Sequence, residues 1–232
     1  MIVLEAIDLS KVYRGGDGGV ITVLEGVNLQ VARGQMTAVI GASGAGKSTL
    51  LHLLGALDKP TRGSVRIAGQ ALDGRGDDEL SAIRNRSVGF VFQFHHLLRE
   101  FTARENVMMP MRIAGWDDRR ARTRADELLT RVGLGGRVQH RPAELSGGEQ
   151  QRTAVARALA LDPAVLLADE PSGNLDHQNS ERLHDLFVEL ARDLEIAMVV
   201  ATHNRSLAAR ADRIMLLEDG RLADTDVREV VP

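Results

Sequence analysis

Cysteine is absent from the 232-residue chain, which excludes disulfides, thiol chemistry and cysteine-built metal sites and leaves a cytoplasmic setting open. Strong charge of one sign is absent too. The net charge is −3, so no global basic field points to nucleic acid as a partner. No apolar run approaches the ~20 residues that a membrane-spanning helix needs, and residues 1–10 alternate like a strand rather than a signal peptide. A membrane role would therefore place this chain beside the bilayer. Internal repeats, low-complexity tracts and heptad runs are also missing. What remains is ordinary globular composition, 44% hydrophobic and 26% charged. The length suits one domain, or one domain with an insert.

Short runs rich in Val, Ile and Leu predict strands at 2–9, 27–31, 36–40, 64–67, 88–92, 165–168, 197–201 and 213–218. One helix is predicted over 47–57, stopped by Pro60. Another covers 117–132, with Ala121, Ala125, Leu128, Leu129 and Val132 on one face and Gly133 as its stop. Strands alternating with helices imply an α/β fold with a mainly parallel sheet. Between 94 and 161 the strand signal vanishes. This predicts a helical subdomain inserted into a core made of residues 1–93 and 162–232. The arginine run 119–124 reads as a solvated helix face, with a contact to anionic lipid as the alternative.

Gly41, Ala42, Ser43, Gly44, Ala45, Gly46, Lys47 and Ser48 fit G-x-x-x-x-G-K-[ST], between an apolar strand and a helix. Such glycines let backbone N–H groups converge on phosphate oxygens, and the helix adds the positive end of its dipole. Lys47 is expected to reach the β- and γ-phosphates, and the Ser48 hydroxyl to ligate Mg²⁺. Three further strand ends carry candidate chemistry. Asp169 and Glu170 close the strand at 165–168, the first suited to holding Mg²⁺ and the second to polarising the attacking water. His203 comes after the strand at 197–201 and is placed to contact a γ-phosphate. Gln93 comes after the strand at 88–92 and is placed to sense Mg²⁺ or water. Each alone reads equally as a turn or a structural residue. Together they gather where open α/β sheets bind ligands, at the carboxyl ends of the strands.

Leu145-Ser146-Gly147-Gly148-Glu149 opens another helix. Ser146 and Glu149 have capping-box spacing, which explains the segment without any ligand. Two adjacent glycines weaken a first turn, however, and suit a backbone lying against an anion. The segment is therefore expected to form a second phosphate-binding surface.

Taken in order, the 41–48 loop, Gln93, 145–149, Asp169-Glu170, Gly173-Asn174-Leu175-Asp176 and Thr202-His203 resemble the ABC ATPases over essentially the whole chain. The resemblance implies a P-loop NTPase core, an N-terminal antiparallel β portion and ATP with Mg²⁺ as ligands. It also implies a head-to-tail homodimer, each ATP held between one chain's 41–49, ending in Thr49, and the partner's Ser146, Gly147 and Gly148. Tyr13, the only tyrosine, stands where the family stacks a ring on adenine, although a Gly-rich segment at 15–19 comes directly after it. Residues 50–58, 92–98 and 101–107 look like those of ATP-binding subunits of lipoprotein-releasing systems, within a group that includes macrolide-exporter-type ATPases. That likeness implies integral membrane permease subunits as partners, a peripheral place on the cytoplasmic face of the inner membrane, and no direct contact with cargo. The alternative is the ATPase of a macrolide- or peptide-exporter-type or cell-division-type ABC complex. His95 and His96 lack partners at metal-ligand spacing. The apolar set between Phe94 and Met111 is expected to pack the helical subdomain in part and to line a groove for a partner helix.

Overall fold

The computed structural model describes residues 1–16 and 19–225. The chain opens with β1 (Ile2–Arg14), β2 (Val20–Ala32), β3 (Met36–Ile40) and α1 (Lys47–Leu54). Next come β4 (Arg62–Ile67), β5 (Gln70–Ala71), α2 (Asp77–Ser87) and β6 (Val88–Phe92). Helices α3 (Ala103–Ile113), α4 (Asp118–Arg131) and α5 (Gly147–Ala158) succeed one another without an intervening strand. The chain then alternates through β7 (Val165–Asp169), α6 (His177–Asp193), β8 (Ala197–Ala201), α7 (Arg205–Ala208), β9 (Arg213–Glu218) and β10 (Arg221–Thr225).

Two sheets result. The first is antiparallel, in the order β2-β1-β4-β5. The second runs β10-β9-β3-β8-β7-β6 and is parallel throughout except for β10 on its edge. β1 and β2 extend well beyond the predicted 2–9 and 27–31. Four register shifts let the pair bend and keep pairing where the simple alternation breaks. Helix α1 stops at Leu54, three residues short of the predicted end. Its C-cap is Gly55, not Pro60, and the Phe90 ring leaves no room for a side chain there, since a Cβ would lie 1.9 Å away.

The parallel sheet is buried on both faces, which its continuous apolar strands require. Val165, Leu167, Ala197 and Val199 join the core beneath α1 and the antiparallel sheet. The alternate residues Leu166, Ala168, Met198 and Val200 join a core shared with α3, α4, α5 and α6. Ala121, Ala125, Leu128, Leu129 and Val132 lie in that second core. The 94–161 helices thus rest on the sheet itself. Several arginines of the 119–124 run are engaged: Arg120 lies 3.6 Å over the Trp116 ring, Arg122 pairs with Asp118, and Arg124 with Asp162. No helix among the described residues is long and apolar enough to cross a membrane.

Candidate active site

The 41–48 loop leaves the buried strand β3 and enters α1, whose first turn has no side-chain cap. Gly46 sits at φ 101°, and a Cβ there would come within 3.0 Å of Val23. Both facts require glycine. Ala42, Ser43, Gly44 and Ser48 are exposed, while Gly41, Ala45, Gly46 and Thr49 are half-buried. Lys47 is only 9% exposed and folds over the loop, donating to the Gly41 carbonyl at 2.8 Å and the Ala42 carbonyl at 3.0 Å. The result is an uncapped helix start beside a cation, an arrangement suited to a polyphosphate.

Strand register brings the other candidates to the same edge. Val39 is level with Ala201, Ala201 with Asp169, and Asp169 with Phe92. One residue further along the four neighbouring strands stand Ile40 before the loop, Thr202, Glu170 and Gln93. Glu170 holds a positive φ of 43°, a conformation that costs energy and persists only where surroundings enforce it. Its N–H donates to the Ala201 carbonyl at 2.9 Å. Its carboxylate accepts from the His203 N–H at 3.1 and 3.2 Å and from the Thr202 hydroxyl at 3.2 Å. The His203 ring, largely exposed, puts Nδ1 2.9 Å from the same carboxylate. Gln93 donates to the Asn174 side chain at 3.0 Å, and Asn174 returns a bond to the Gln93 carbonyl at 3.2 Å. Ser48, Asp169 and Gln93 offer a hydroxyl, a carboxylate and an amide oxygen. Among the described residues no three His, Cys, Asp or Glu side chains form a metal cluster. Such a sparse, oxygen-only set fits Mg²⁺, which keeps waters and takes its remaining ligands from phosphate.

Tyr13 is 39% exposed and anchored. Its hydroxyl donates to Asp58 at 2.8 Å, and Lys11 sits 4.8 Å from the ring centroid while bonding Asp58 at 2.7 Å. Burial and then the Asp58 carboxylate raise the Tyr13 hydroxyl above its ordinary value, with Thr49 acting in the opposite direction. Of the segment 15–19, Asp17 and Gly18 lie outside the described residues.

Ser146 caps α5, and Glu149 returns bonds to the Ser146 N–H and hydroxyl at 2.8 and 2.9 Å. The cap holds Glu149 below the usual carboxylate range, aided by Arg137. The two glycines have different reasons. At Gly148, which is buried, a Cβ would lie 2.6 Å from the Asn179 side chain, so packing against α6 favours glycine. Gly147 is exposed, and its nearest neighbour would be 3.9 Å away. That position has open space for a ligand. Sequence reasoning missed Lys11, Asp58, Asn174 and Thr202 as supporting groups. Asp58, Asn174 and Thr202 sit inside motif segments and carried some signal; Lys11 carried none.

Residues 24–173 match the ABC transporter family. The lipoprotein-releasing system ATP-binding protein LolD of Geobacter metallireducens is 54% identical over 219 residues, 94% of this chain and 97% of that one. LolD of Desulfotalea psychrophila is 50% identical over 97% of this chain and all of its own length. Among solved structures, a post-hydrolysis dimer of the ATP-binding cassette MJ0796 with ADP and Pi aligns with a TM-score of 0.87 at 38% identity. It covers 97% of this chain and 99% of that one. The chain therefore belongs to the ABC transporter family, as one of its ATP-hydrolysing members.

Proposed function

We propose that the chain, as a head-to-tail homodimer, hydrolyses ATP with Mg²⁺ to power release of lipoproteins through integral membrane subunits. One observation carries this reading: four neighbouring strands deliver the 41–48 loop, His203, Glu170 and Gln93 to a single edge. Likeness to LolD along the whole chain points to the lipoprotein cargo, and the dimeric cassette with ADP and Pi supports the paired arrangement.

In this mechanism Tyr13 stacks on adenine while the loop N–H groups from Gly41 to Thr49 hold the phosphates. Lys47 exchanges its two carbonyl partners for phosphate oxygens. Ser48, Asp169 and Gln93 hold Mg²⁺, which when bound offsets the phosphate charge. Glu170 polarises the attacking water and accepts its proton, and His203 keeps that carboxylate aimed while touching the γ-phosphate. Ser146, Gly147 and Gly148 of the second copy close over the same nucleotide. Residues 1–93 and 162–232 serve as the core and 94–161 as the subdomain that responds to the nucleotide state. ATP favours the closed dimer and products the open one, which makes nucleotide a mechanical input. The chain works peripherally on the cytoplasmic face, touching neither nucleic acid nor cargo.

The decisive experiment is co-purification with its membrane subunits, then reconstitution into vesicles holding a radiolabelled lipoprotein. ATP-dependent release of the label is expected. Efflux of macrolide or peptide instead, or a stable complex that moves nothing, would replace the cargo assignment with an exporter-type or adaptor role.

A further inference from the structure

Gln151 lies on α5, five residues after the Ser146 cap, and is fully buried. Its amide nitrogen donates to two backbone carbonyls, Pro171 at 2.7 Å and Phe92 at 3.1 Å. A primary amide has two N–H donors, so both are used. The acceptors are not arbitrary. Phe92 immediately precedes Gln93, and Pro171 immediately succeeds Glu170. On the same helix Arg157 donates to the His95 and His96 carbonyls at 2.8 and 2.7 Å. Helix α5 is thus fastened to the chain on both sides of Gln93 and to the turn that carries Glu170.

Simple filling of this space would favour leucine or methionine. The Gln151 Oε1 is buried without a hydrogen-bond partner, a cost that an apolar side chain of equal size avoids. The amide is retained at that cost, which argues that the two donated bonds are what the position requires.

We propose that Gln151 is a positioning residue that couples the two ATP sites of the dimer. This rests on the head-to-tail reading, in which Ser146 of one chain meets the nucleotide bound by the other. Engagement at Ser146 moves α5, and Gln151 passes that movement to the Gln93 and Glu170 backbones of its own chain. Each site then fires faster, though not exclusively, when the neighbouring nucleotide is in place. The segment holding the catalytic carboxylate is aligned by a side chain that touches no substrate.

The test uses the full chain carrying Gln151→Met, which keeps volume and loses both donors, and Gln151→Glu, which sets a carboxylate against the two carbonyls. Binding of a fluorescent ATP analogue and the ATP dependence of hydrolysis are measured for both, with thermal unfolding as the check on folding. Wild-type hydrolysis should be cooperative in ATP. Both variants should bind nucleotide within about twofold of wild type, turn over about tenfold more slowly and lose the cooperativity, a change within the usual range of site–site coupling. Retained cooperativity in either folded variant, or a wild-type chain that hydrolyses without cooperativity, overturns the proposal. So does failure of both variants to fold, which makes Gln151 a structural residue. A wild-type chain that binds no ATP instead removes the functional reading on which the proposal stands.

Discussion

His203 grips Glu170 from two directions: its backbone N–H reaches both carboxylate oxygens at 3.1 and 3.2 Å, and its ring Nδ1 lies 2.9 Å from one of them. The residues are 33 apart in sequence, yet parallel pairing of β7 with β8 makes them neighbours. A carboxylate so held cannot rotate away from the strand edge. The His203 ring, exposed on its outer side, is free to meet a nucleotide.

The first expectation comes from that grip. Glu170→Gln keeps a carbonyl oxygen for the His203 N–H, so the loop should stay in place. It loses the basic oxygen that accepts a proton. ATP affinity should remain within about twofold, while turnover falls by roughly a hundredfold or more, the usual contribution of a general base. Single-turnover hydrolysis measured beside nucleotide binding checks this. Near-normal turnover would remove Glu170 from the chemistry.

A second expectation concerns shared sites. Lys47→Ala removes the buried cation of one half-site, and Ser146→Arg fills the exposed N-terminus of α5 in the other. Each variant alone should be inactive. Mixed, they should recover part of the wild-type rate, because one of the two composite sites can then be intact on both sides. The rate should also depend more than linearly on chain concentration at high dilution. Absence of complementation together with strictly linear dependence would indicate a monomeric enzyme.

The strand-end chemistry was legible in sequence because short apolar runs closed by Gly, Asp, Gln or Thr mark buried parallel strands. Motif spacing then singles out the polar groups at their carboxyl ends. The lengths of β1 and β2 were not legible, since register shifts and tertiary pairing, not alternation, sustain them. Strands β5 and β10 were missed for a similar reason: both are short and largely exposed, and only hairpin pairing makes them strands. Gly148 has a packing reason that sequence could not supply, the nearby Asn179 side chain on α6. Gln151 gave no signal, because a glutamine inside a polar helix looks solvent-facing until the fold buries it.

The pH dependence of stability has a definite sign. Burial lowers the His184 pKa below its ordinary value, with Arg210 acting the same way and Glu181 and Asp185 opposing. Its Nε2 is hydrogen-bonded to Ser172 at 3.0 Å, in the segment just after Glu170. Burial lowers His95 likewise, with the Gly147 backbone opposing. Both side chains bind protons less readily folded than unfolded, where histidine titrates near ~6.5. Their contribution is therefore fully present above that value and is lost as pH falls from it toward the folded pKa. The midpoint of thermal unfolding should drop as pH falls below about 6.5, and His184→Gln should flatten the slope. An unchanged slope would mean that His184 accepts its proton without disturbing the fold.

The last expectation concerns how force leaves the molecule. Of the apolar set between Phe94 and Met111, Val107, Met108 and Met111 are fully buried in the core shared with the sheet. Met108 and Met111 therefore serve as packing while Met109 is half-buried, and the exposed apolar residues of the set are Phe94 and Leu98, 64% and 43% exposed. Leu98 is nonetheless held firmly. Buried Asn106 accepts from its N–H at 2.8 Å, and the two N–H groups of the Asn106 amide are shared among the Leu98, Phe101 and Thr102 carbonyls at 3.0–3.1 Å. A rigid backbone presenting apolar side chains to water, a few residues after Gln93, suits an anchor for a membrane subunit. Leu98→Asp should leave the fold and the ATPase of the isolated chain intact, since the side chain is largely outside the core. Binding to the membrane subunits should weaken by tenfold or more, about 2 kcal/mol for an interface anchor. A pull-down against those subunits and an ATPase assay on the free chain are read side by side. Loss of both would place Leu98 in the core, and loss of neither would move the coupling surface elsewhere.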